Sequence, residues 1–122
     1  MGLIISKYDT ENLTDRCWYD SSNIIFSETF DKQNELKEII VVFKGGRAYK
    51  YLNVNVNDIV LFKHGGVSGS IGKAFEQYLK KYPFEKLENY NLVVLEEEKQ
   101  MLLLERTEAY KKLLEEQKNE TA

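Results

Sequence analysis

A chain of 122 residues, 43% hydrophobic and 30% charged, has the length and composition of one globular domain with a modest core. Its net charge of −3 is too acidic for a dedicated nucleic-acid binder, which is usually basic overall. No apolar run reaches the roughly 18 residues needed to span a bilayer, and Met1–Ser6 lacks the charged and apolar regions of a signal peptide.

Leu3 to Tyr8 reads as an edge strand, which fits Leu3–Ile5 better than a myristoylation signal built on Gly2 and Ser6. Cys17 is the only cysteine, so no disulfide can form within the chain, as suits a reducing cytoplasm. It reads as a small buried hydrophobe. Between Trp18 and Phe30 the alternation places Ile24, Phe26, Glu28 and Phe30 on one strand face. Asp31 to Glu35 is a polar turn. Leu36 to Lys44, rich in β-branched residues, is a central strand. Gly45-Gly46 supplies the positive φ values of a tight hairpin. Arg47 to Val56 is the next strand, with Tyr49 and Tyr51 on one face and Leu52, Val54 and Val56 on the other. The expected sheet is antiparallel, with about four strands.

Asn57-Asp58 caps a short helix through Ile59, Leu61 and Phe62 that ends at Gly65-Gly66. His64, the only histidine, sits at that end, where it suits the helix dipole better than a catalytic role. Ser68 or Ser70 caps a second helix running to about Tyr82, with Ile71, Phe75, Tyr78 and Leu79 inward. Pro83 stops it. From Glu88 the pattern is helical, with Leu95, Leu102, Ala109 and Leu113 recurring and Leu103, Tyr110 and Leu114 alongside. Asn91 to Leu95 also reads as a short strand. A helix from Leu92 to Lys118 would be roughly 40 Å long, against a radius of gyration near 14 Å for a domain of this size. Its apolar stripe needs a cover. A second copy of the chain is the simplest one, giving a homo-oligomer; the alternative is a bent helix folded back on its own sheet. The fold class expected is α+β, a single domain over residues 1–122.

Charge is uneven along the chain. Residues 44–81 carry +5 and residues 85–122 carry −4, so an anion would be drawn to the middle segment. The run from His64 to Ala74 misses the phosphate-loop pattern. Five residues separate Gly66 from Gly72 where four are needed, and Ala74 stands where Ser or Thr would hold magnesium. Ser70 and Lys73 still place backbone donors and a cation together, as an anion site or as a plain helix cap. Arg106 lies inside the apolar stripe of the tail. It can snorkel, pair with a glutamate across an interface, or meet a phosphate. Arg47 beside the tyrosine strand and Arg16 before Trp18 offer cation–π and phosphate contacts, although a helix covering that sheet face is the favoured reading of the tyrosines. Tyr82, Phe84, Tyr90 and Asn91 flank a helix break, as packing residues or as a wall and hydrogen-bonding edge for an adenine. The paired carboxylates Glu96-Glu97-Glu98 and Glu115-Glu116 point in different directions on a helix. No catalytic constellation, metal cluster or cofactor motif is legible, so the protein is expected to be a binder and not an enzyme.

Ser21-Ser22-Asn23-Ile24, the Phe43-Lys44-Gly45-Gly46 turn, Tyr49-Lys50-Tyr51, Ser70-Ile71-Gly72-Lys73-Ala74-Phe75 and Tyr82-Pro83 together resemble the KTSC domain. The match spans about residues 18–84, leaving residues 85–122 as a C-terminal helical extension. One departure is Glu76, where the family pattern tends to have asparagine. The resemblance implies an RNA-binding module that would use Lys44, Arg47, Lys50, Lys63 and Lys73. The order of sheet then helices in a small Lys/Asn/Ile-rich chain also resembles the phage Thoeris anti-defence sponges. That resemblance implies an oligomer in the bacterial cytoplasm that sequesters cyclic ADP-ribose-type signals, in a pocket between subunits, without cleaving them. Arg106 and Arg16 would then hold phosphates, Phe84 or Tyr82 would stack on the base, and Asn91 would bond its edge, with Arg47, Lys73 and Ser70 as further contacts. A purely structural phage protein is the third expectation.

Overall fold

The computed structural model describes residues 2–31, 36–67 and 69–121, with side chains through Gln117. Residues 32–35 of the expected polar turn, and Ser68 as a helix cap, lie outside the described residues. The chain divides into two units, Met1–Leu92 and Val93–Ala122.

The first unit is built on a six-stranded antiparallel sheet. Its strands are β1 (Leu3–Asp9), β2 (Thr14–Tyr19), β3 (Ile24–Phe30), β4 (Leu36–Phe43), β5 (Ala48–Asn55) and β6 (Phe84–Leu87), in that spatial order. The sequence reading of about four strands is therefore corrected to six. The turn before β2 is hard to see because Leu13 occupies it at φ 54°, a conformation usually left to Gly or Asn. Asp9 supports that turn by accepting from the Glu11 N–H at 3.0 Å and from Asn12 Nδ2 at 2.8 Å. β6 is a four-residue edge strand just after Pro83, paired Tyr51 to Phe84 and Ala48 to Leu87. So short a segment carries little strand signal.

Register irregularities correct two face assignments. Pairing slips between Ile24 and Phe26, so Ile24 joins the helix-covered core while Phe26 pairs with Val42 and lies beside Arg16 on the opposite face. A second slip falls between Lys37 and Ile39, across from Asn53 at φ 54°. It brings Val54 into the same core cluster as Tyr51, where simple alternation had put them on opposite faces.

That core joins Cys17, Tyr19, Ile24, Ile39, Val41, Tyr51 and Val54 of the sheet to Ile59, Phe62, Ile71, Phe75 and Leu79 of the helical layer. Helix α1 (Val56–Lys63) starts directly after β5, slightly earlier than the Asn57-Asp58 cap implied. Asn55 caps it instead, its Oδ1 accepting from the Asn57 N–H at 2.8 Å. The end falls at His64 and the glycine pair, as the sequence indicates: Gly65 N–H reaches Phe62 O at 3.0 Å and Gly66 N–H reaches Leu61 O at 2.8 Å. Helix α2 (Ile71–Ala74), capped by Ser70, runs straight into a wider turn over Phe75–Leu79, closed by Lys80 N–H on Phe75 O at 3.0 Å.

Helix α3 (Leu92–Thr121) supplies the second unit. Its 30 residues span about 45 Å, and Leu92–Leu95 is helix, not strand. Every side chain from Leu104 to Gln117 is exposed, including Tyr110, Leu113 and Leu114. No helix among the described residues is long and apolar enough to cross a membrane.

Candidate functional site

A cavity of about 450 Å³ opens on the helix-bearing side of the sheet, where three chain segments meet. The approach to β3 contributes Ser22, Asn23 and Ile24; the β4–β5 turn contributes Phe43, Lys44 and Arg47; α2 and the turn after it contribute Gly72, Phe75 and Glu76. These segments include Ser22-Asn23-Ile24, Phe43-Lys44 and Gly72 to Phe75, all quoted for the KTSC resemblance.

Backbone bonds fix the frame. Lys44 N–H donates to Asn23 O at 2.7 Å, Phe43 N–H to Arg47 O at 2.8 Å, and Gly46 N–H to Phe43 O at 2.9 Å. Gly45 and Gly46 adopt φ of 104° and 98° in the turn between Lys44 and Arg47, both of which line the cavity. The aromatic rings back one another edge-on. Phe43 meets Phe75 edge-on at 5.2 Å between ring centres, Tyr49 backs Phe43 at 5.8 Å, and Tyr51 backs Phe75 at 5.5 Å. A Cβ on Gly72 would sit 3.6 Å from Asn23 Nδ2, so the bare helix turn leaves room beside that amide.

The charges here are uncommitted. Among the described residues, the side chains of Lys44, Arg47 and Glu76 make no hydrogen bond or ion pair. Elsewhere in the first unit Arg16 pairs with Glu28, Lys37 with Asp31 at 3.1 Å, Lys50 with Glu38 at 3.4 Å, Lys63 with Asp15, and Lys81 with Asp58 at 3.3 Å, whereas Lys7, Lys73, Lys80 and Lys86, like Lys44 and Arg47, make no ion pair among the described residues. A guanidinium and an ammonium without partners, set beside two rings and an amide, suit a ligand with an anionic end and a flat apolar part.

The other candidates from the sequence scatter. Arg16 lies over the Trp18 and Phe26 rings on the opposite sheet face. Tyr82 is bonded through its hydroxyl to Asp58 in the first turn of α1, so it acts as a clamp between helix and strand. Phe84 is 56% exposed on β6, against Tyr49 and Tyr51. Ser70 accepts from the Lys73 N–H at 3.4 Å as the cap of α2, and Lys73 is exposed next to Gly72 of the cavity. Asn91 immediately precedes α3, and Arg106 lies in its exposed stretch, so Arg106 belongs to the other unit. Only Arg47 of these eight lines the cavity. Site-level reading from the residues passed over Ser22, Asn23, Phe43, Phe75 and Glu76. The signal that could have found most of them was the set of segments carrying the KTSC resemblance. Among the described residues no group of three His, Cys, Asp or Glu side chains could hold a metal ion.

No family model matches the chain, no curated protein matches its sequence, and no solved structure matches its fold.

Proposed function

We propose that this is a non-catalytic phage or prophage protein that binds and sequesters a nucleotide-derived signal of the cyclic ADP-ribose type, such as glycocyclic ADP-ribose, and so inhibits Thoeris antiviral defence. One observation carries the reading: Lys44 and Arg47 line a cavity of about 450 Å³, with no ion-pair partners among the described residues, beside Phe43 and Phe75. That volume lies within the range of small-molecule sites. The two cations take the phosphates, and the aromatic rings take the base. Phosphate capture therefore rests on Lys44 and Arg47 in place of Arg106 and Arg16. The exposed Tyr110, Leu113 and Leu114 on α3 support assembly with further copies of the chain.

Incubation with glycocyclic ADP-ribose, removal of free ligand and heat denaturation should return the ligand intact. Replacing both Lys44 and Arg47 by alanine should weaken capture by at least about a hundredfold, since hydrogen bonds to charged groups contribute about 1.5–3 kcal/mol each. Degraded ligand, or none retained, ends this reading.

A second reading, an RNA-binding module of the KTSC kind, draws on the meeting of the resembling segments at the cavity. It has less support, because Lys50 and Lys63, two of its five cations, are engaged with Glu38 and Asp15. A salt-dependent shift with short RNA would favour it.

A further inference from the structure

Glu76 is out of place in a cavity for anions. It lines the same space as Lys44 and Arg47, yet neutralises neither of them. An ionised carboxylate only accepts hydrogen bonds, so against a ligand that is anionic throughout it would be purely repulsive. The arrangement makes chemical sense if the ligand is polar in two directions, with phosphates at the β4–β5 turn and an N–H donor at the turn after α2. Asn23 stands within the same cavity with a side chain that both donates and accepts. A purine with an exocyclic amine supplies the complementary edge: an amino donor for the carboxylate and a ring nitrogen acceptor for the amide. Phe43 and Phe75, set nearly perpendicular to each other, supply apolar contact for its flat body.

We infer that Glu76 selects for an amino-bearing purine, accepting the exocyclic N–H of an adenine whose phosphates lie on Lys44 and Arg47. The inference rests on the binding function proposed above and deepens it. Replacing the adenine amine by a carbonyl turns the donor into an acceptor facing the Glu76 carboxylate, and because Glu76 is exposed the discrimination is modest.

The probes are glycocyclic ADP-ribose and its deaminated counterpart, in which hypoxanthine replaces adenine, titrated calorimetrically into the full chain. The wild-type protein should prefer the adenine form by about tenfold. Glu76→Ala should bring the ratio near unity by weakening the adenine form. Glu76→Gln should bring it near unity from the other side, because a glutamine amide can turn and donate to the carbonyl of hypoxanthine. Glu76 is exposed on the surface of a short helical turn, and circular dichroism with thermal melting will show that both variants fold. A ratio unchanged in both variants, with binding still dependent on Lys44 and Arg47, overturns the role of Glu76 and leaves the capture function standing. A preference that appears only with magnesium overturns it too, by assigning Glu76 to a bridging cation. No binding of either probe by the wild type overturns both readings.

Discussion

The thiol of Cys17 lies in the core cluster between sheet and helices, and burial pushes it up to about 11, against the smaller opposing pull of Lys63. The native protein should therefore resist iodoacetamide at pH 8, whereas the urea-unfolded chain should be alkylated quickly, as intact-mass spectrometry will report. Thr14 and Thr29 are also buried, and among the described residues their hydroxyls find no hydrogen-bond partner. Thr14→Val keeps the shape and removes the unsatisfied group, so it should raise stability by about 1 kcal/mol in a urea titration. At the far end of the sheet, Tyr8 Oη donates to Asp31 Oδ2 at 2.8 Å, and Lys37 Nζ reaches Asp31 Oδ1 at 3.1 Å. These bonds, Tyr8 first, hold the Asp31 carboxyl below its ordinary 3.8. A lowered carboxylate pKa stabilises the fold above the ordinary value, and that contribution fades as pH falls through the lowered folded value. Tyr8→Phe should move the Asp31 titration upward in a carbon-detected NMR experiment and shrink the acid-side fall in stability.

Two glycines test the elements that frame the cavity. Gly72 has an ordinary helical backbone, and a Cβ there would only touch Asn23 Nδ2 at 3.6 Å. Gly72→Ala should leave stability unchanged or raise it by up to about 1 kcal/mol, while the methyl group intrudes on the cavity and weakens ligand capture. Gly46 is different. Its φ of 98° is rare for an L side chain, and a Cβ would sit 3.1 Å from Tyr90 O, so Gly46→Ala should cost about 2 kcal/mol. The hairpin glycines, β4, the end of α1 and the long last helix were all legible in the sequence because each carries a strong local signal. β2 was not, because a leucine at positive φ hides the turn that opens it. The faces of β3 and β5 were misread for a related reason: a bulge shifts the alternation by one residue without leaving a mark in composition. The cavity was harder still. Its residues come from three separated segments, and only tertiary pairing shows that Glu76 shares a wall with Arg47.

At the level of the whole molecule, α3 leaves Tyr110, Leu113 and Leu114 in solvent, a costly arrangement for an isolated chain. Sedimentation equilibrium should give a mass of at least twice 14.3 kDa, and Leu113→Glu with Leu114→Glu should lower it toward a single chain. A wild-type protein that sediments as one chain would remove the assembly from the proposed function without touching the cavity. The strand order carries a separate consequence. Four of the five pairings join strands that follow each other directly along the chain, so a zipper can close from hairpin to hairpin; β6 alone must wait until α1 and α2 have been laid down. Short loop closures are entropically cheap and quick. Refolding should therefore be fast for so β-rich a protein, with the amides that tie β6 to β5 the last to gain protection from hydrogen exchange and the first to lose it.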